Sequence, residues 1–160
     1  MLTQSQKQVA EVFRIALRCS CCQPEEVIAW ADEIISTNLN PPYDIIEIST
    51  STSDLVSQLS KISTDSDGDL ALRVVMGRMY EIGSKAKEKL ADFSQGLCQI
   101  TLERENELPE DLLFCEFIED SYMLAYSGIY GILSDIEDDL LSSLKSHWSE
   151  KSSTKYWYIL

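Results

Sequence analysis

Apolar residues recur along this chain at intervals of three and four, the period of a helix that buries one face. Val9, Val12, Phe13, Ala16 and Leu17 follow that spacing, and Thr3 with Gln6 stands at capping-box distance, so a helix is predicted over residues 4–19. Pro24 suits a first helical turn, where Glu25 and Glu26 also complement the positive end of the helix dipole. Val27, Trp30, Ala31, Ile34 and Ile35 make a second stripe that ends at Thr37. NLNPP then breaks the helix, because proline lacks a donor and pushes the residue before it toward extended backbone. YDIIEIS fits either a short helix opened by Pro42 or a single strand. With no strand-like run nearby to pair with it, the helix is preferred.

Thr52 or Ser53 is placed to cap the next helix, with Leu55, Val56, Leu59 and Ile62 inward, and STDSDGD reads as a turn. From Asp69, LALRVVMGRMYEI predicts a strongly buried helix. After Gly83 a more polar helix follows to about residue 105, with Ala86, Leu90, Phe93, Leu97 and Ile100 in register. Pro109 opens another, whose apolar positions are Leu112, Leu113, Cys115, Phe117, Ile118, Met123 and Leu124. SGIYGIL interrupts it. Ser134 and Glu137 then form an S-x-x-E capping box for a last helix to about residue 149, carrying Ile136, Leu140, Leu141 and Leu144. The chain closes on KYWYIL, an aromatic tail after a polar hinge. There is no internal repeat and no composition shift that marks a boundary. The expected fold is all-α: one domain, residues 1–160, a bundle of about seven or eight helices with residues 152–160 as a possible tail.

Length supports this, since 160 residues can bury a sizeable single core. Charge adds something new. Thirteen basic residues stand against 27 acidic ones, a net charge of −14. A field of that sign disfavours nucleic acid and anionic membrane as direct partners. The N-terminus MLTQSQKQVAEVF lacks the basic and apolar regions of a secretory leader, and no window approaches the ~18 apolar residues of a membrane span. The five cysteines, an odd number, fit a reducing compartment better than a disulfide framework. A cytoplasmic location is expected.

Candidate chemistry is sparse. If Gly68 of STDSDGD is the sixth position of a calcium loop, Ser63 is the first and Val74 the twelfth, where a bidentate carboxylate is required. Cys19, Cys21 and Cys22 have no second pair at C-x2-C spacing and only His147 to assist, so a zinc site is not expected. Cys98 and Cys115 lie on apolar stripes. There is no G-x-S-x-G and no glycine-rich phosphate loop. No catalytic residue, metal or cofactor is expected, and no enzymatic activity.

The informative feature is where the charges lie. Seven acidic residues and no basic one lie between Arg18 and Lys61; eleven and again none lie between Arg104 and Lys145. Solubility needs net charge but not segregation, whereas a one-signed surface speeds association with a partner of opposite sign. Within the second run, the spacing sets Glu116, Asp120 and Met123 or Leu124 on successive turns of a helix, with Glu119 alongside. Gly128 and Gly131 allow a tight loop carrying Tyr126 and Tyr130, and Asp135, Glu137, Asp138 and Asp139 open the next helix. Aromatic anchors between carboxylates suit a basic protein surface. The alternative is that both tyrosines are buried and the acids only cap helices or face solvent.

WADEII followed by PPYDIIEIS, and the later IEDSYMLAYSGIYG, with LALRVVMGRMYEIG between them, are similar to blocks of a known family. They resemble the small helical immunity proteins of bacterial polymorphic-toxin systems, including those of contact-dependent growth inhibition. The resemblance covers the order of these blocks over roughly residues 25–145. It implies binding and neutralisation of a cognate toxin domain, commonly a nuclease whose basic cleft a carboxylate-rich surface can occupy; an exosite is the other possibility. Trp30, Pro42, Asp120, Gly128, Tyr130 and Gly131 are the family-like positions, and they can equally serve the fold. KYWYIL has no counterpart in the resemblance. The competing expectation is an acidic regulatory, scaffold or nucleic-acid-mimic protein with no toxin partner, which the neighbouring gene would distinguish.

Overall fold

The computed structural model describes residues 1–51 and 54–160, and these are all-helical, with no strand among them. The first helix, α1 (Gln4–Arg18), begins as its capping box dictates. Thr3 Oγ1 accepts from the Gln6 amide at 3.1 Å and Gln6 Oε1 accepts from the Thr3 amide at 2.9 Å. Its apolar stripe puts Val12, Phe13, Ile15 and Ala16 wholly inside, and α1 becomes the central rod against which α4 (Leu55–Ile62), α5 (Gly68–Gly83) and α6 (Leu90–Leu102) pack. α2 (Pro24–Thr37) and α3 (Tyr43–Ser49) lie against each other, and α3 also packs on α4 (Leu55–Ile62).

Before α5 (Gly68–Gly83), the STDSDGD segment is held by Gln8. Its amide nitrogen donates to the Asp67 carbonyl and its oxygen accepts from the Asp67 N–H, both at 2.7 Å. Asp67 in turn caps α5, accepting from the Asp69 and Leu70 amides. This is the turn-and-cap reading of the segment. α5 packs on α1 and on the last α-helix, α8 (Leu133–Lys145).

The helix expected over 84–105 is in two parts, a 3-10 turn at Lys87–Lys89 and α6 (Leu90–Leu102). The segment after Pro109 likewise divides into a 3-10 stretch, Glu110–Glu116, and α7 (Ile118–Tyr126). α8 (Leu133–Lys145) packs on α7 and α5, and a last 3-10 turn spans Glu150–Ser153. Among the described residues there are eight α-helices, within the seven or eight helices expected, and three 3-10 segments besides.

Two capping expectations change. Thr52 and Ser53 lie outside the described residues, and Asp54 caps α4, accepting from the Ser57 amide at 3.1 Å. Ser134 does not cap α8. The helix begins one residue before it, after extended Ile132, so Ser134 falls inside the first turn and no side chain caps that end. The final helix also stops at Lys145, short of residue 149.

KYWYIL is not a loose tail. Trp157 is 2% exposed and Tyr158 is buried. Phe13 on α1 meets the Tyr158 ring at 4.6 Å between centroids, the Trp157 ring at 6.0 Å and Trp30 on α2 at 5.6 Å. The Arg78 guanidinium lies 5.6 Å from the Trp157 ring centroid and donates to the Ser152 carbonyl at 3.0 Å. Trp157 Nε1 donates to Glu26 Oε1 at 3.2 Å. The end of the chain thus completes the core formed by its beginning.

Candidate functional site

The corner where α7 turns into α8 departs from the rest of the surface. α7 is anchored by Ile118, Tyr122 and Ala125, spaced four and three apart, all buried. On the opposite face, and just before the helix, large apolar side chains are turned out. Phe117 is 63% exposed and Met123 58%, with Leu124 also exposed. The chain then leaves the helix through Ser127 and makes its turn with two left-handed residues, Gly128 at φ +69° and Gly131 at φ +82°. A side chain is strained at such angles, so glycine is the natural occupant of both positions. A Cβ on Gly128 would meet nothing within 4 Å, which marks the turn as projecting from the body of the protein. It carries Ile129, Tyr130 and Ile132 outward, with Tyr126 standing at its base; Tyr126, Ile129 and Tyr130 are each more than 70% exposed.

The two tyrosines singled out from sequence are therefore at the surface, and the alternative that buries them does not hold. Four residues assigned to the apolar stripe of this region, Leu113, Phe117, Met123 and Leu124, are exposed instead. Ile129 and Ile132 join them at the surface without having been singled out.

Carboxylates flank this apolar corner on both sides. Asp120 lies on the outer face of α7, with Glu119 half-buried beside it, and Asp135, Asp138 and Asp139 stand out from α8, with Glu137 half-buried. Glu116 is exposed too, but it belongs to the preceding 3-10 stretch, so it does not continue the α7 stripe that the spacing suggested. Among the described residues, Glu116, Glu119, Asp120, Asp135, Glu137 and Asp139 form no ion pair. Asp138 has one cation, Lys87 Nζ at 3.4 Å from its Oδ1, brought by the 3-10 turn before α6. Both groups of that pair are largely exposed, so it contributes little.

From beneath, α6 supports the corner. Cys98 lies next to Glu119, and that carboxylate together with burial pushes its thiol up to about 11. Tyr122 is buried on α7, where burial first, then Glu137 on α8 and Tyr126, raise its phenol above the ordinary value.

Elsewhere some charges are paired within the fold, while other carboxylates, Glu25, Glu33 and Asp44 among them, form no ion pair among the described residues. A cavity of about 620 Å³ between α1, the turn before α5 and the end of α6 is lined by Glu11 paired with Arg14 and by Asp69 paired with Arg104. Arg73 holds Asp111 through two hydrogen bonds, at 2.9 and 3.0 Å. Cys19, Cys21, Cys22 and Cys115 are buried, and burial raises all four thiols, those of Cys19 and Cys115 to about 12. No cluster of three or more His, Cys, Asp or Glu among the described residues is arranged to hold a metal. No described helix is long and apolar enough to cross a membrane. Comparison with protein-family models, with curated proteins and with solved structures found no match to this chain.

Proposed function

We propose that this protein is a stoichiometric inhibitor, an immunity protein that binds a basic bacterial toxin domain such as a nuclease through the α7–α8 corner. The single observation that supports it most is the combination at that corner of projecting apolar side chains with six carboxylates that form no ion pair among the described residues. An apolar patch of this kind on a lone protein marks a place where another molecule sits. Uncompensated carboxylates around it select for a cationic surface and accelerate encounter, while Tyr126, Ile129 and Tyr130 supply the desolvated contact. The resemblance of IEDSYMLAYSGIYG to immunity proteins falls on the same segment. On this reading the protein performs no chemistry, needs no cofactor and works in the cytoplasm, where its toxin would act.

The test uses the gene next to this one. Its product, or the toxin-like C-terminal part of it, is expressed in cells with and without this protein. Growth should be arrested without it and restored with it, and the double variant Ile129→Ser, Tyr130→Ser should lose protection while melting like the parent. Absence of any toxic neighbour, or full protection by the double variant, would overturn the assignment of function or of surface respectively.

A further inference from the structure

The free protein has to live with this corner uncovered, and its own charges bear on how. Phe117 just before α7, Met123 and Tyr126 on it, and Ile129, Tyr130 and Ile132 round the projecting turn are each between 58% and 77% exposed. Side chains of this size, so exposed, offer about 700 Å² of mostly apolar surface. A stable interface buries about 800 Å² on each partner, so the patch alone is close to what a dimer of this chain would need. A two-fold dimer is isologous: the same patch meets itself, and residue i of one copy faces residue j of the other in both directions. The corner's carboxylates would then be brought up to the same acidic surface on the second copy. Lys87, beside Asp138, is a single cation against these groups.

From this we infer that the α7–α8 corner is a self-association surface for a second copy of this chain, held open by its own carboxylates: copies dimerise through it when those charges are removed or screened. The inference rests on the corner being an interaction surface, as in the proposed function, and it gives the acids a second role. They keep the surface free for a cationic partner, which replaces repulsion by attraction at the same groups. Partner binding and self-association are then mutually exclusive.

The experiment is sedimentation velocity on the full chain alone, so its outcome does not depend on whether a toxin exists. The variant Glu116→Gln, Asp120→Asn, Asp135→Asn, Asp139→Asn removes four exposed charges that make no ion pair among the described residues. At moderate salt and high micromolar concentration the parent should sediment as a monomer and this variant as a dimer. In about 1 M salt, where the screening length is about 3 Å, the parent should shift toward dimer as well. Adding Ile129→Ser and Tyr130→Ser to either background should restore the monomer. A neutralised variant that stays monomeric at all salt concentrations would overturn the inference. So would a dimer that persists with both serines in place, because it would form through another face.

Discussion

Removing the Trp157 side chain should cost more stability than any change at the α7–α8 corner. The residue is 2% exposed, its ring stacks edge-on against Phe13 and Tyr158, and a guanidinium covers one face. Truncating a buried tryptophan to alanine typically costs about 3–5 kcal/mol, transfer and cavity together. The lost bond to half-buried Glu26 adds little, because water can take the place of the indole donor. For a chain of this size each kcal/mol moves the melting temperature by about 2–4 °C, so Trp157→Ala should melt roughly 8–15 °C below the parent. Trp157→Phe keeps most of the buried area and should recover more than half of that loss. Calorimetry with guanidinium titration measures both. A shift of less than about 2 °C for Trp157→Ala, with an unchanged denaturant slope, would mean the C-terminal segment does not dock in solution, and the account of the core would be wrong.

Three further outcomes are expected. Burial lowers the pKa of His147 from its ordinary 6.5, with Asp111 opposing and Arg73 assisting; the unfolded chain therefore takes up a proton that the folded one resists, and stability should decline as pH falls below about 6.5. His147→Gln should flatten that slope in pH-dependent denaturation, and an unchanged slope would show that His147 is not the group responsible. Native protein treated with a thiol reagent should modify Cys98 far faster than the other four cysteines, read by peptide mass, because the others are buried; prompt reaction of Cys21 or Cys22 would contradict their burial. Chelator and reductant should leave the melting temperature unchanged, and a fall of many degrees with either would reveal a metal or redox role for the Cys19–Cys22 segment.

How much of this could be read from the chain alone differs from region to region. α1 and α2 were legible because their start signals are local and unopposed: Thr3 with Gln6 at one, Pro24 with Glu25 and Glu26 at the other. The YDIIEIS segment resolved as a helix for the reason available in the sequence, the lack of a strand to pair with. After Pro109 the reading held for Leu112, Cys115 and Ile118, which are buried, and failed for Leu113, Phe117, Met123 and Leu124, and for the last three the cause is phase. Residues 110–116 coil with three residues per turn, and Phe117 interrupts them, so a stripe counted at 3.6 from Leu112 arrives at α7 out of register. Counted afresh from Ile118, the buried set is Ile118, Tyr122 and Ala125, and Phe117, Met123 and Leu124 fall outside. The signal was present in the four-and-three spacing, but nothing in composition says where a 3-10 segment ends. The exposed tyrosines were singled out for the turn they flank, and the isoleucines beside them were missed because apolar residues next to a loop are ordinarily taken inward. The sequence also overstated charge segregation: Lys87 lies 51 positions from Asp138, and the two meet only in the fold, where α5 packs both on α8 and on the 3-10 turn that carries Lys87.

The central claim is that the α7–α8 corner binds a cationic protein, and association kinetics test it most directly. The probe is the toxin domain encoded by the neighbouring gene, titrated against the parent and against Glu119→Lys, Asp120→Lys and Asp138→Lys, Asp139→Lys at several ionic strengths, with protection of toxin-expressing cells measured alongside. The account predicts that each reversed pair melts like the parent, associates at least about tenfold more slowly at low salt, and loses most of the salt dependence of its association rate. Reversed variants that associate, respond to salt and protect as the parent does would contradict it, and would place the interface on another face of the protein.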